Sequence, residues 1–152
     1  MAESAIPETG MPPLPKLERH STLIGIVIVA HGGLAAEMKR ATEHVVGVQP
    51  AVVAISIGPE DDRQTRTQEI CAAADAVDNG YGVVVVTDMY GGSPSNLSLR
   101  ACRPANRKIL TGVNLPMLVK LAKSRHLGVE EAVSRAAEAG RRYINSFDGA
   151  PE

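Results

Sequence analysis

From residue 22 onward the apolar positions of the chain follow two alternating rhythms. Short β-branched runs at about 23–30, 51–57, 82–87 and 108–113 read as buried strands, and between them apolar residues recur every three or four positions. Leu34, Met38, Ala41, Val45 and Val46 mark a helix at about 34–46, with Gly47 as its stop. A second helix is predicted at about 61–78, behind Glu60, Asp61 and Asp62, whose charges suit the positive end of a helix dipole. The Ser93-Pro94 pair resembles an N-cap with proline at the first position and opens a helix to about 102; two more follow at about 114–125 and 129–146. Strands alternating with helices imply parallel pairing through right-handed crossovers. The expected class is α/β, a single domain with an open, mostly parallel sheet flanked by helices over residues 22–148.

Residues 1–21 break this rhythm. They hold Pro7, Pro12, Pro13 and Pro15 and no sustained periodicity, which predicts a flexible N-terminal tail. The Pro-Pro-Leu-Pro stretch is also a possible docking motif, although a plain extension is the simpler reading. A basic start followed by an apolar segment, as in a secretory signal, is absent.

Composition narrows the class further. With 44% hydrophobic residues, 3% aromatic residues and no tryptophan in 152, the core must be aliphatic. A net charge of −1 and few stacking platforms argue against nucleic acid as a partner. Cys71 and Cys102 fall on predicted helices without metal-ligand spacing, which reads as a reduced, cytoplasmic chain with neither metal nor cofactor. No apolar run approaches the ~20 residues that span a bilayer.

Chemistry enters at the strand ends. The uncharged run Leu23 to Ala30 stops at His31-Gly32-Gly33, and the run Tyr81 to Thr87 stops at Asp88. Ligands of open α/β sheets sit beyond the carboxyl ends of the strands, so both side chains stand where chemistry is done. A carboxylate on one imidazole nitrogen fixes the tautomer and leaves the other as base or nucleophile. Gly91-Gly92-Ser93-Pro94-Ser95-Asn96 adds backbone N–H groups at a helix start, and Ser93 and Ser95 add hydroxyls, a combination suited to a phosphoryl group. Histidine, carboxylate and anion cradle together point to phosphoryl transfer onto the ring.

Plainer readings exist for each part. A histidine after a strand serves more often as a turn residue than as a catalyst, Asp88 could cap a turn, and paired glycines often make only tight turns. His20, His44 and His126 read as tail or surface residues. A hydrolase using His31 and Asp88 lacks an evident metal or second general acid.

The runs Ile24 to Gly32, Thr87 to Asn96, and Thr111-Gly112-Val113-Asn114-Leu115-Pro116-Met117-Leu118 together resemble the IIA component of mannose-type sugar phosphotransferase systems, over about 22–145. By that resemblance His31 is the phosphoryl acceptor, Asp88 its supporting carboxylate, and Gly91, Gly92, Ser93 and Ser95 line the phosphoryl loop. The resemblance further implies a donor, the histidine-containing phosphocarrier protein, an acceptor IIB domain, and a homodimer with an exchanged strand. The chain ends at Glu152 soon after its last predicted helix, so the IIB domain is expected on a separate partner and any membrane contact only through a transporter. Tyr90 and Ser95 depart from the family pattern, which commonly has Trp or Phe at the first position and Phe at the second. Stand-alone relatives can also serve regulatory phosphorelays without sugar transport, and that role remains the alternative.

Charge is unevenly spread as well. Met89 to Val129 contains no acid but seven bases, Arg100, Arg103, Arg107, Lys108, Lys120, Lys123 and Arg125. A solvated helix face explains such a run. Because the run begins at the phosphoryl loop, Arg100 and Arg103 are also candidates for steering an acidic partner.

Overall fold

A computed structural model of the chain describes residues 23–150; the predicted tail at 1–21 lies outside them. In chain order the elements are β1 (Gly25–His31), α1 (Leu34–Val46), β2 (Val52–Ile57), α2 (Arg63–Val77), β3 (Val83–Thr87), α3 (Ser93–Ser98), a 3-10 turn (Arg100–Cys102), β4 (Arg107–Thr111), α4 (Leu115–Lys123) and α5 (Val129–Arg142). All pairings are parallel, in the order β2-β1-β3-β4, so the sheet is the open α/β sheet that the alternation of elements predicts.

The two sheet faces carry separate aliphatic cores. Ile26, Ile28 and Ala30 of β1 with Val84 and Val86 of β3 pack under α4 and α5 through Leu118, Leu121, Ala132 and Ala136. Val27 and Val29 with Val83 and Val85 pack on the other face against Ile70 and Ala74 of α2 and Leu97 of α3. Strands buried on both faces read as unbroken valine and isoleucine runs, which is why β1 and β3 stand out in the sequence. From β1 the chain goes out to β2 on one side and returns to β3 on the other, so the strand order reverses between β1 and β3. A crevice opens at such a reversal, beyond the strand ends.

Several local expectations shift. In α1 the buried positions are Ala35 and Thr42, whereas Leu34 and Val45 are exposed; the Thr42 hydroxyl donates to the Met38 carbonyl at 2.8 Å, which lets this helix bury a polar residue. Asp62 caps α2 by accepting from the Thr65 N–H at 2.8 Å, so Glu60 and Asp61 lie before the helix and outside its first turn. Gly92, not Ser93, is the N-cap of α3, and that helix stops at Ser98 before the 3-10 turn. The last helix ends at Arg142, and residues 143–150 run on without helix, all exposed, with Tyr143, Ile144 and Phe147 uncovered by the other described residues.

Arg125 is interior, not part of a basic surface. At 1% exposure its Nε donates to the Ile24 carbonyl at 2.7 Å and its Nη2 to the Ala51 carbonyl at 3.2 Å, tying the starts of β1 and β2 to the end of α4. Burial pushes its guanidinium down to about 10.

Candidate active site

His31 is the last residue of β1, and Asp88 is the first residue after β3, on the neighbouring strand. The carboxylate reaches back across the crevice. Oδ2 of Asp88 accepts from the backbone N–H of His31 at 2.9 Å and lies 2.8 Å from the ring Nδ1. This double contact locks the histidine backbone and ring to one oxygen. Because a carboxylate only accepts, Nδ1 carries the proton in the neutral ring and Nε2 carries the lone pair. The ring side chain is 50% exposed and the carboxylate 12%, so the pair has a wet end over a drier support.

Backbone geometry explains the glycines. Gly32 has φ +56° and Gly91 φ +84°, in the left-handed region where side chains are strained. The Gly32 N–H donates to the Ile57 carbonyl at 2.9 Å, which turns the chain away from β1 and leaves His31 at the mouth. Gly92 has an ordinary φ of −81°, and its requirement is space: a Cβ there would meet Cε1 of His31 at 3.2 Å and Nε2 at 3.8 Å. The Gly91–Gly92 backbone therefore lies against the Nε2 side of the ring. The Asn96 side chain donates to the Gly91 carbonyl at 3.3 Å and closes this loop, a contact that motif reading does not supply.

With Gly92 as the cap, no side chain caps α3, and the Ser93 hydroxyl is not used for that purpose. Ser93 is half-buried and Ser95 is buried. The structure thus brings together His31, Asp88 and the 91–96 loop at the end of β1 and β3. Among the described residues no group of three or more His, Cys, Asp or Glu is placed to hold a metal ion.

Comparison with known proteins bears on this arrangement. The family described as PTS system fructose IIA component, EIIA-man, matches residues 25–138. The chain belongs to this family of mannose-type IIA components of the sugar phosphotransferase system (PTS). The mannose-specific EIIAB component of the PTS from Escherichia coli is 30% identical over 131 residues, covering 84% of this chain and 41% of that protein. The chain therefore spans about 41% of the length of the curated relatives it matches first. The PTS component EIIA from Streptococcus agalactiae is 27% identical, with a TM-score of 0.69 over 82% of this chain and 98% of that one. A mannose/sorbose-specific IIA subunit from Enterococcus faecalis, 23% identical, shares the fold at a TM-score of 0.75 over 86% of this chain and 98% of that one. His31, Asp88 and the whole 91–96 loop of this IIA chain lie inside the matched range.

Electrostatics support a charged carboxylate. Burial of Asp88 pushes its carboxyl up, but the hydrogen bonds from the His31 N–H and ring, with the ring's charge, outweigh it and hold the group below the usual carboxylate value. Arg100 and Arg103 lie elsewhere. They are exposed and line a groove of about 470 Å³ with Gln68, Cys71, Asp75 and Arg107, on the α2 side of the molecule, a lining that includes neither His31 nor Asp88. Arg107, 6% exposed at its side chain, is committed to Asp75 and Asp78 at 2.9 Å each and to the Ala101 carbonyl at 2.8 Å. The basic run of the sequence therefore divides into interior struts, Arg107 and Arg125, and surface charges. His44 and His126 are both exposed. No helix among the described residues is long and apolar enough to cross a membrane.

Proposed function

We propose that this chain is a phosphohistidine carrier in which Nε2 of His31 accepts a phosphoryl group from the histidine-containing phosphocarrier protein and passes it to a separate IIB-type partner, in the cytoplasm. The observation that carries this reading is the 2.8 Å contact of Nδ1 with a partly buried carboxylate, which leaves Nε2 as the free nucleophile at a half-exposed edge. In the transfer step the Nε2 lone pair forms the new N–P bond as the donor's P–N bond breaks and its electron pair returns to the donor ring. The His31 ring becomes cationic while the Nδ1 proton stays in place, and the anionic Asp88 faces that charge directly. Asp88 thus orients the ring and stabilises its loaded form. Gly91 and Gly92 let the backbone approach the phosphoryl oxygens closely, and the hydroxyls of Ser93 and Ser95 donate to them.

The functional unit is a homodimer in this reading. Among the described residues β4 is an edge strand with one side unpaired, and residues 143–150 form an exposed, non-helical segment carrying Tyr143, Ile144 and Phe147. A free edge and an unpartnered apolar segment complement one another across two copies. Arg100 and Arg103, off to the side of the histidine, serve as a second contact for an acidic partner.

Incubation with phosphoenolpyruvate, enzyme I and the phosphocarrier tests the reading. One acid-labile phosphoryl group per chain is expected, and none on His31→Ala. Labelling of His31→Ala at the wild-type rate overturns it.

A further inference from the structure

At the His31–Asp88 pair, two buried polar atoms have no partner among the described residues, the hydroxyl Oγ1 of Thr87 and the carboxylate oxygen Oδ1 of Asp88. Thr87 is the last residue of β3 and is fully buried. It follows four consecutive valines, Val83 to Val86, and a fifth valine would have nearly the same shape with no hydroxyl to satisfy. Strand alternation places its side chain on the face of Val83 and Val85, the face that Val27 and Val29 share. His31 continues that same face of β1, and Thr87 on the adjacent strand lies level with Val29, two residues before the histidine. Buried hydroxyls and carboxylate oxygens are normally bonded, and leaving either dry is costly. Here one unused donor and one unused acceptor belong to consecutive residues, the second of which holds the His31 ring.

We propose that Thr87 is a positioning residue of the histidine site, its hydroxyl donating to Oδ1 of Asp88 and so fixing the plane of the carboxylate whose Oδ2 holds His31. The Thr87 hydroxyl rotates to suit an acceptor and the terminal torsion of the Asp88 carboxyl is broad, so these groups of consecutive residues can adjust toward one another. Both His31 contacts fall on Oδ2, so the carboxylate is held at one oxygen alone, and a tilt about that oxygen would loosen the Nδ1 contact. A second hold at Oδ1 removes that freedom. The rate consequence rests on the carrier reading above, but the consequence for the ring tautomer does not.

The test is Thr87→Val against Thr87→Ser. Ring 15N shifts of His31 in the unphosphorylated protein report which nitrogen bears the proton, and phosphoryl uptake reports the rate. The wild type is expected to hold the proton on Nδ1 alone. Thr87→Val is expected to remain folded with a melting temperature at or above wild type, to show a mixture of tautomers, and to take up phosphoryl about three- to tenfold more slowly, the effect of one ordinary hydrogen bond. Thr87→Ser should restore both readouts. A Thr87→Val protein with wild-type ring shifts, and uptake within twofold of wild type, overturns the proposal. If the wild type takes up no phosphoryl group, the carrier reading fails, and the ring shifts still decide the role of Thr87.

Discussion

Gly92→Ala isolates the placement of the ring from the folding of the domain. The backbone at this position has φ −81° and ψ 174°, values that alanine adopts without strain, so the substitution acts through its new methyl group. That methyl would lie 3.2 Å from Cε1 of His31 and 3.3 Å from Cγ of Met89, a few tenths of an ångström inside ordinary contact. Met89 is exposed and can swing clear, but the ring is held at Nδ1 by a 2.8 Å contact and moves only by stretching it. Stability is expected to change by less than about 1 kcal/mol, because Gly92 is only half-buried. A 1 Å misplacement of a reacting group costs up to about 10²-fold, so a shift of a few tenths is expected to slow phosphoryl uptake about three- to tenfold. Rapid-mixing transfer from the phosphorylated carrier, with thermal unfolding alongside, measures both. Gly91→Ala is the contrast: nothing lies within 4 Å of its Cβ, but φ +84° imposes roughly 1–2 kcal/mol of backbone strain. Uptake by Gly92→Ala at the wild-type rate would refute the claim that the glycine backbone lies against the reactive edge of the ring.

Asp88→Asn should slow uptake by up to about 10²–10⁴-fold without unfolding the domain; transfer within twofold of wild type would assign the carboxylate to structure alone. Because the Asp88 carboxyl is held below its ordinary value, its stabilising effect is complete above about pH 4 and is lost as pH falls through the depressed folded value. Acid unfolding followed by circular dichroism should therefore show a shallower decline in Asp88→Asn than in wild type. Arg107→Ala removes the donor shared by Asp75, Asp78 and the Ala101 carbonyl and is expected to destabilise the domain by about 2–4 kcal/mol in denaturant unfolding, whereas a loss under about 0.5 kcal/mol would show that the clamp is solvated. Arg100→Glu with Arg103→Glu should slow second-order transfer most at low ionic strength and less as salt rises; an association rate unchanged at low salt would leave this pair as ordinary surface. Ending the chain at Arg142 should convert a dimer to a monomer in light scattering, and an unchanged mass would remove the 143–150 segment from the interface.

The legibility of this chain follows burial. β1 and β3 are buried on both faces, so their sequences are unbroken apolar runs, and the sharp change to His31 and Asp88 at their ends is visible without a structure. That the two ends are adjacent depends on strand order, which the crossovers decide and the sequence does not spell out. The buried face of α1 is hidden in the sequence, because alanine and threonine fill its buried positions while larger Leu34 and Val45 face outward. Helix α5 reads four residues too long since nothing in Tyr143 to Ser146 forbids a helix; it stops where there is no more core to cover. Arg107 and Arg125 look like surface charge in the sequence, and only the carbonyls and carboxylates around them make them interior. The capping residue of α3 is displaced by one, to Gly92, and that shift frees the Ser93 hydroxyl from capping duty.

The most direct measurement is the position of the phosphoryl group on the ring. After phosphorylation of 15N-labelled protein through phosphoenolpyruvate, enzyme I and the phosphocarrier, phosphorus–nitrogen coupling identifies the bonded nitrogen. The account predicts a single phosphohistidine at His31, bonded through Nε2, with the Nδ1 proton retained toward Asp88. A phosphoryl group on Nδ1 of His31, or on any other residue, would contradict it.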